Sequence, residues 1–195
     1  MFGAPVDTSS IMPFSISHQT SNWQWKFKNN SINFYYEEHI KERSEPSQNI
    51  LMMPTIFDVS TVEEWRVVAE DIVQRNGNVN WRANIVDWPG LGNSDWPKIN
   101  YSTDVLENFL VDFINSSNGP IKQSENNLII FGGGHTASMV VRASKKGLVK
   151  PTSIAAVAPT WAGPLPIGHG RDSSKENWKQ GTLMLSFLGH MLFPC

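Results

Sequence analysis

The chain has 195 residues, of which 40% are hydrophobic and 17% charged, a composition that suits one globular domain with a well-formed core. Its formal net charge of −2 gives no electrostatic reason to expect binding to nucleic acid or to an anionic membrane. The single cysteine, Cys195, excludes an intrachain disulfide and a cysteine-based metal site. No stretch of the sequence approaches the roughly 20 apolar residues of a membrane-spanning helix.

The first quarter of the sequence predicts a leader, a hairpin and a loop. Residues 1–22 are rich in Ser, Thr and Pro, as expected of a flexible leader. Residues 23–38 form two alternating runs around Asn29 and Asn30, which favours a β-hairpin. Residues 39–48 are charged, and we expect them to form a solvated loop.

The rest of the chain alternates apolar strands with amphipathic helices. Strands are predicted at residues 49–56, 81–90, 126–133 and 152–159, and helices at residues 60–77, 102–116 and 137–147. This order predicts an α/β fold, in which a mostly parallel sheet carries helices on both faces. Because ligands bind beyond the carboxyl ends of such strands, the turns after Met53, Val86, Ile130 and Val157 are expected to line one crevice.

One loop carries a family resemblance. In the segment IVDWPGLGNSDWP, residues 85–97, an aspartate is followed by Gly-x-Gly-x-Ser and a proline; these residues are Asp87, Gly90, Gly92, Ser94 and Pro97. The segment resembles the strand-to-loop signature of the α/β-hydrolase superfamily. The resemblance extends over about residues 23–166, and implies the amino-terminal part of an α/β-hydrolase core. The loop is a fold marker, whose carboxylate and hydroxyl groups can bond backbone amides.

The same resemblance places GGGHT where the nucleophile turn G-x-S-x-G belongs. Gly132 then matches the first glycine, Gly134 the nucleophile and Thr136 the last glycine. Gly133 lies between the first glycine and the nucleophile position. Gly134 has no side chain that could attack a substrate. His135, Thr136 and Ser138 carry reactive groups, but each is displaced from the nucleophile position.

Two further elements of hydrolase chemistry are altered. In the family an oxyanion hole takes one amide from the residue after the nucleophile, here His135, and one from the loop after an early strand. That loop reads Pro54-Thr55, so the second donor would be Thr55 or Ile56. A late acid and histidine complete the family's triad. The candidates His169 and Asp172 fall in residues 167–195, which are predicted to be the start of a lid region or a divergent tail.

These features favour a truncated, catalytically inactive α/β-hydrolase-fold protein that lacks the carboxyl-terminal strands and is either ligand-binding or vestigial. The alternative is an active serine hydrolase that acts on an apolar ester. The expected partner is a small apolar ligand or ester, and an exposed sheet edge favours self-association. No cofactor is expected, nor a metal, because His18, His39 and His190 show no ligand spacing. The resemblance to plant members implies a chloroplast location, with the cytoplasm as the alternative.

Overall fold

The computed structural model describes residues 15–43, 45–75, 77–121 and 127–159. Within these ranges the strands are β1 (Ile16–Phe27), β2 (Asn30–Lys41), β3 (Gln48–Met53), β4 (Trp81–Val86), β5 (Leu128–Gly133) and β6 (Ser153–Val157). The helices are α1 (Glu63–Gln74), α2 (Thr103–Asn115) and α3 (Gly134–Lys145). The strands form one six-stranded sheet in the order β1-β2-β4-β3-β5-β6.

The sheet is mixed. The strands β4, β3, β5 and β6 run parallel to one another, whereas β2 is antiparallel to both β1 and β4. This confirms the α/β fold class, because the parallel part of the sheet is built from alternating strands and helices. In the described part of the chain, no helix combines the length and the apolar character that crossing a bilayer requires.

The predicted hairpin is present, but it is longer than the sequence indicated. Phe27 pairs with Asn30, so Lys28 and Asn29 form a two-residue turn, and Lys28 adopts a φ of 54°. The ladder continues from this turn to the pair of Ile16 with Lys41.

This register corrects two predicted boundaries. The leader predicted at residues 1–22 was wrong from Ile16 onward, where β1 begins; residues 1–14 lie outside the described ranges. The loop predicted at residues 39–48 was wrong at its start, because β2 continues to Lys41 and His39 is fully buried. In both places polar residues lie in regular strand: residues 18–22 of β1 are exposed at the edge of the sheet, and β2 carries the buried His39.

Strand β3 shows how both faces of the sheet are covered. Leu51 and Met53 pack in the core cluster that contains the buried residues of α2 and α3, whereas Ile50 and Met52 pack in a second cluster with those of α1. Alternate residues of a strand point to opposite faces, so a continuous apolar run is required where both faces are buried. The prediction of helices on both faces is therefore confirmed.

The loop after β4 is closed by its own polar groups. The buried carboxylate of Asp87 accepts hydrogen bonds from the amides of Val62, 2.8 Å away, and Asn93, 2.9 Å away. Burial raises the pKa of Asp87, and these two amide bonds oppose that shift. The hydroxyl of Ser94 accepts from the Tyr35 amide at 3.0 Å and donates to the Asp87 carbonyl at 3.2 Å. The loop is thereby tied both to β2 and to the start of α1.

The Gly92→Ala variant is expected to destabilise the fold. Gly92 has a φ of 54°, and an added Cβ would overlap the buried carboxylate of Asp87. Strain and overlap together predict a loss of about 2–4 kcal/mol in the free energy of unfolding, measured by urea denaturation. The control is Gly77→Ala, because a Cβ at Gly77 meets nothing within 4 Å. This variant should lose less than about 0.5 kcal/mol in the free energy of unfolding. Equal losses in the two variants would contradict this account of the loop.

Candidate active-site turn

The carbonyl of Pro54 holds three turns together at the carboxyl edge of the sheet. It accepts a hydrogen bond from the indole Nε1 of Trp88, 2.8 Å away, and another from the hydroxyl of Thr136, 2.6 Å away. Pro54 follows β3, Trp88 follows β4, and Thr136 follows β5. Three of the four turns that the sequence assigned to one crevice therefore meet, although β5 continues to Gly133 rather than ending at Ile130.

The chain passes from β5 to α3 without a connecting loop. Gly133 is extended, with φ −93° and ψ 146°, and Gly134 follows at once as the first residue of α3 with a φ of 50°. Non-glycine residues seldom adopt this left-handed conformation, and it costs them about 1–3 kcal/mol. The helix begins three residues earlier than predicted, so the position matched to the nucleophile is part of the sharp turn itself.

The space beside Gly134 is occupied by Thr55. An added Cβ at Gly134 would lie 2.8 Å from the Cγ2 methyl of Thr55, closer than side-chain carbons approach in ordinary packing. An added Cβ at Gly133 would lie 2.5 Å from the Thr55 hydroxyl and 2.6 Å from Oε1 of Glu64. The turn is therefore packed against side chains in a way that suits glycine.

The nearby hydroxyl of Thr136 has a packing role. Thr136 has no exposed surface, and its hydroxyl donates to the Pro54 carbonyl. His135 lies at the exposed start of α3, and Ser138 is half-buried one turn further along. Of these three candidates, Thr136 has its oxygen committed to a buried hydrogen bond that joins the turns.

A carboxylate binds the candidate oxyanion donor. The amide of Thr55 donates to Oε2 of Glu64 at 2.9 Å, and the Thr55 hydroxyl donates to Oε1 at 2.9 Å. Ile56, the other candidate donor, is half-buried and packs against the main core cluster. An oxyanion hole requires donors directed at the reacting oxygen, whereas the Thr55 amide is directed at an anion of the protein itself.

Sequence reasoning missed Glu64. Glu63 and Glu64 lie in the first turn of α1, where acidic residues commonly complement the helix dipole. The sequence gives no signal that one of them reaches back nine residues to the loop after β3.

A second polar cluster lies under α1. The structure brings His18, Glu37 and His39 together, with one ligand atom of each within 4.8 Å of the others. This corrects the prediction that His18 and His39 lack ligand spacing, because strand pairing places them directly opposite each other. His190, His169 and Asp172 lie outside the described residues, as does the segment 167–195.

The ionisation of this cluster is controlled by burial and by Arg66. Burial alone would raise the pKa of Glu37, but hydrogen bonds from Arg66 and Tyr35 outweigh it and lower that pKa to about 2. Burial lowers the pKa of His39, and the nearby His18 acts in the same direction. Burial and the hydrogen bond to Glu37 raise the pKa of Tyr35 to about 12. At neutral pH the cluster therefore holds an ionised carboxylate and a neutral, buried imidazole.

A cavity of about 480 Å³ lies beside the hairpin turn and is lined by residues 30–32 and 95–98. Its lining includes Ile32, Asp95, Trp96 and Lys98, and none of the residues of the Gly134 turn or of the Thr55 loop. It therefore belongs to the hairpin and the loop after β4, and contributes no group to the candidate active-site turn.

Solved structures with this architecture are α/β-hydrolases. A peroxisomal α/β-hydrolase from Saccharomyces cerevisiae matches with a TM-score of 0.57 and 12% identity, covering 83% of this chain and 48% of that one. The haloalkane dehalogenase DatA from Agrobacterium tumefaciens matches with a TM-score of 0.56 and 13% identity, covering 89% and 54%. The mouse α/β hydrolase domain-containing protein 10 matches with a TM-score of 0.53 and 14% identity, covering 73% and 50%.

The chain therefore has the α/β-hydrolase fold, as its marker loop and strand order predicted. At these identities the likeness shows the fold alone. No protein-family model matches the sequence, and no curated protein matches it. The chain spans about half the length of the solved structures that it matches, with 43% to 56% of their residues covered.

The Gly134→Ala variant is expected to lose more stability than the Gly147→Ala variant. Both glycines have positive φ, 50° and 71°, but a Cβ at Gly147 meets nothing within 4 Å. Gly147→Ala thus reports backbone strain alone, about 1–2 kcal/mol, and Gly134→Ala adds overlap with Thr55 of about 1–3 kcal/mol. The measurement is the free energy of unfolding from urea denaturation.

The Thr55→Ser variant removes the methyl group that the new Cβ would meet. A double-mutant cycle of Gly134→Ala with Thr55→Ser should therefore show favourable coupling of about 1 kcal/mol. Additive losses in the cycle would contradict the packing described for this turn.

Proposed function

We propose that this protein is a catalytically silent α/β-hydrolase-fold protein that binds a small apolar ligand at the carboxyl edge of its sheet. The observation that carries the proposal is the pair of hydrogen bonds from Thr55 to the Glu64 carboxylate, next to a turn whose central residue is Gly134.

Ester hydrolysis by this fold needs a nucleophile and donors for the negative charge that develops on the substrate oxygen. Gly134 supplies no nucleophile. The Glu64 carboxylate engages the Thr55 amide, and its charge would oppose an anionic intermediate at the same place. Loss of a single oxyanion donor costs about 100- to 1000-fold in turnover in enzymes that keep their nucleophile. The two changes act on different parts of the same chemistry, and together they support a non-hydrolytic role.

Apolar side chains beside the turn support binding of an apolar ligand. Phe57 is 60% exposed and Val59 is 76% exposed in the loop that begins with Pro54 and Thr55. Large exposed apolar groups near the carboxyl ends of parallel strands, where ligands of α/β proteins bind, are suited to contact with a hydrocarbon. If the protein is vestigial, no ligand will bind at this loop. If it is an active hydrolase of apolar esters, it will turn such an ester over.

The remaining expectations stay predictions. A chloroplast location rests on the resemblance to plant members alone. Self-association rests on the edges of the sheet, which in the described part of the chain are β1 and β6.

Catalytic silence predicts that the wild-type chain forms no adduct with a serine-reactive fluorophosphonate and does not hydrolyse p-nitrophenyl butyrate. The Gly134→Ser variant should also be inactive, because the Thr55 amide still faces Glu64. Intact-mass spectrometry detects the adduct, and absorbance detects turnover. Adduct formation on the wild-type chain, or turnover by Gly134→Ser above a matched Gly134→Ala control, would contradict the proposal.

Ligand binding predicts that methyl octanoate changes the fluorescence of the buried tryptophans Trp65 and Trp88, whose indoles donate to Met53 and Pro54 beside the turn. The Phe57→Ser variant should weaken this binding by about fivefold or more, since it removes an apolar contact. Val67→Ser on α1, where Val67 is 76% exposed, is the matched control and should bind as the wild type does. Equal affinity in Phe57→Ser and wild type would remove the support for a ligand site here.

A further inference from the structure

We propose that His18, Glu37 and His39 form a binding site for a divalent transition-metal ion of the zinc type, between the hairpin and helix α1. The site is separate from the Gly134 turn, and its argument does not depend on the function proposed above.

The hairpin register assembles the three side chains. His18 of β1 pairs directly with His39 of β2, and Glu37 lies two residues before His39 on the same face of the strand. The two imidazole rings are stacked, with centroids 4.6 Å apart and planes at 16°. Regular strand pairing therefore presents two imidazoles and one carboxylate without any special loop.

The distances fit a tetrahedral ion. Nε2 of His18 and Nε2 of His39 each lie 3.4 Å from Oε2 of Glu37. Zinc bonds of about 2.0–2.1 Å at tetrahedral angles separate neighbouring ligand atoms by about 3.3 Å. The separations from Glu37 match this value, and all three ligand atoms lie within 4.8 Å of one another. Because nitrogen lone pairs lie in the ring planes and the two rings are nearly parallel, the partly exposed His18 ring must turn for both imidazoles to bond one ion. Because the His18 side chain is 40% exposed, the fourth position can be reached from solvent.

The carboxylate is oriented by outer hydrogen bonds. The hydroxyl of Tyr35 donates to Oε1 of Glu37 at 2.8 Å, and Arg66 donates through Nε to Oε2 at 2.9 Å and through its terminal nitrogen to Oε1 at 2.5 Å. Metal-binding carboxylates are held in this way by second partners, which fix the geometry of the ligand. The bond from Arg66 uses one lone pair of Oε2 and leaves another for an ion.

The charges around the site favour a cation despite Arg66. Glu63 forms an ion pair with Arg66 from the same turn of α1, and Glu70 acts electrostatically on His39. Glu37 and Glu63 thus both pair with the Arg66 guanidinium, and Glu70 adds a further carboxylate whose charge acts on His39.

The imidazole of His39 is difficult to explain as a packing residue. It is fully buried, and its Nδ1 has no hydrogen-bond partner among the described residues. An unpaired polar atom in the core costs about 1–3 kcal/mol, so an apolar residue would pack there more favourably. Nε2 of His39 faces Oε2 of Glu37, 3.4 Å away, and is the nitrogen that a metal ion would bond.

The test is zinc binding by the full chain after treatment with a chelator. Zinc affinity is measured by competition with a chromophoric chelator, and thermal unfolding is followed by circular dichroism. One equivalent of zinc is expected to bind and to raise Tm by about 5–10 °C when zinc exceeds its Kd about 100-fold. Magnesium, which prefers oxygen ligands, should raise Tm by less than about 1 °C.

The informative variant is His18→Gln, because His18 is the most exposed member of the site and its loss should leave the fold intact. It is expected to weaken zinc binding at least about 30-fold and to abolish the rise in Tm. His135→Gln on α3 is the matched control and should bind zinc as the wild type does. Unchanged zinc affinity in His18→Gln, or an equal loss in His135→Gln, would overturn the assignment.

Cobalt provides a test that needs no variant. Co²⁺ bound by two imidazoles and a carboxylate in a tetrahedral site gives strong visible absorption, and zinc should displace it. Weak absorption of the hydrated-ion type at saturating Co²⁺, or no change of Tm with zinc, would overturn the proposal. The cluster would then be an ion-pair and hydrogen-bond network around Glu37.

Discussion

The carbonyl of Pro54 is the constraint on which the candidate active-site turn depends. Proline has no amide hydrogen to give to a substrate, but its carbonyl accepts both the Trp88 indole and the Thr136 hydroxyl. Two buried hydrogen bonds to one oxygen fix the loop after β3 against the strand ends on either side. This in turn places Thr55 against Gly134, where its methyl group occupies the space beside the turn. The Pro54-Thr55 loop and the glycine turn at Gly134 are therefore two parts of one packing arrangement.

Much of the fold could be predicted from the sequence, because strongly apolar runs and amphipathic helices leave few alternatives. Strands β3 to β6 were found from apolar runs and the helices from their periodicity, and Gly147 ends α3 as expected, with a φ of 71°. The ends of the hairpin could not be predicted in the same way. Residues 17–22 are polar and lie in an edge strand of the sheet, and such a polar run resembles the sequence of a flexible leader.

The residues of the candidate site also differ in how far the sequence predicts them. Gly134 and Pro54 were identified from the sequence because a known turn pattern gives each position a meaning. Glu64 and the cluster around Glu37 were missed because their contacts depend on tertiary structure. The pairing of His18 with His39 follows from a two-residue turn at Lys28 and Asn29, and a turn one residue longer would place the two histidines on opposite faces. Such a register is fixed by the packing of the whole strand, and the local sequence pattern does not predict it.

Helix α1 connects the two regions. Its first turn carries Glu64 to the Thr55 loop, and the next residues carry Arg66 to Glu37 in the hairpin. The start of this helix is held by the carboxylate of Asp87, which accepts the amide of Val62. The marker loop after β4 thus helps to position Glu64 through the start of α1. The hydrogen bonds described for the Glu64 carboxylate go to Thr55 and not to this loop. A loop that marks the fold therefore also helps to position the acid that binds the Thr55 amide, and helix α1 joins this loop to the candidate active-site turn.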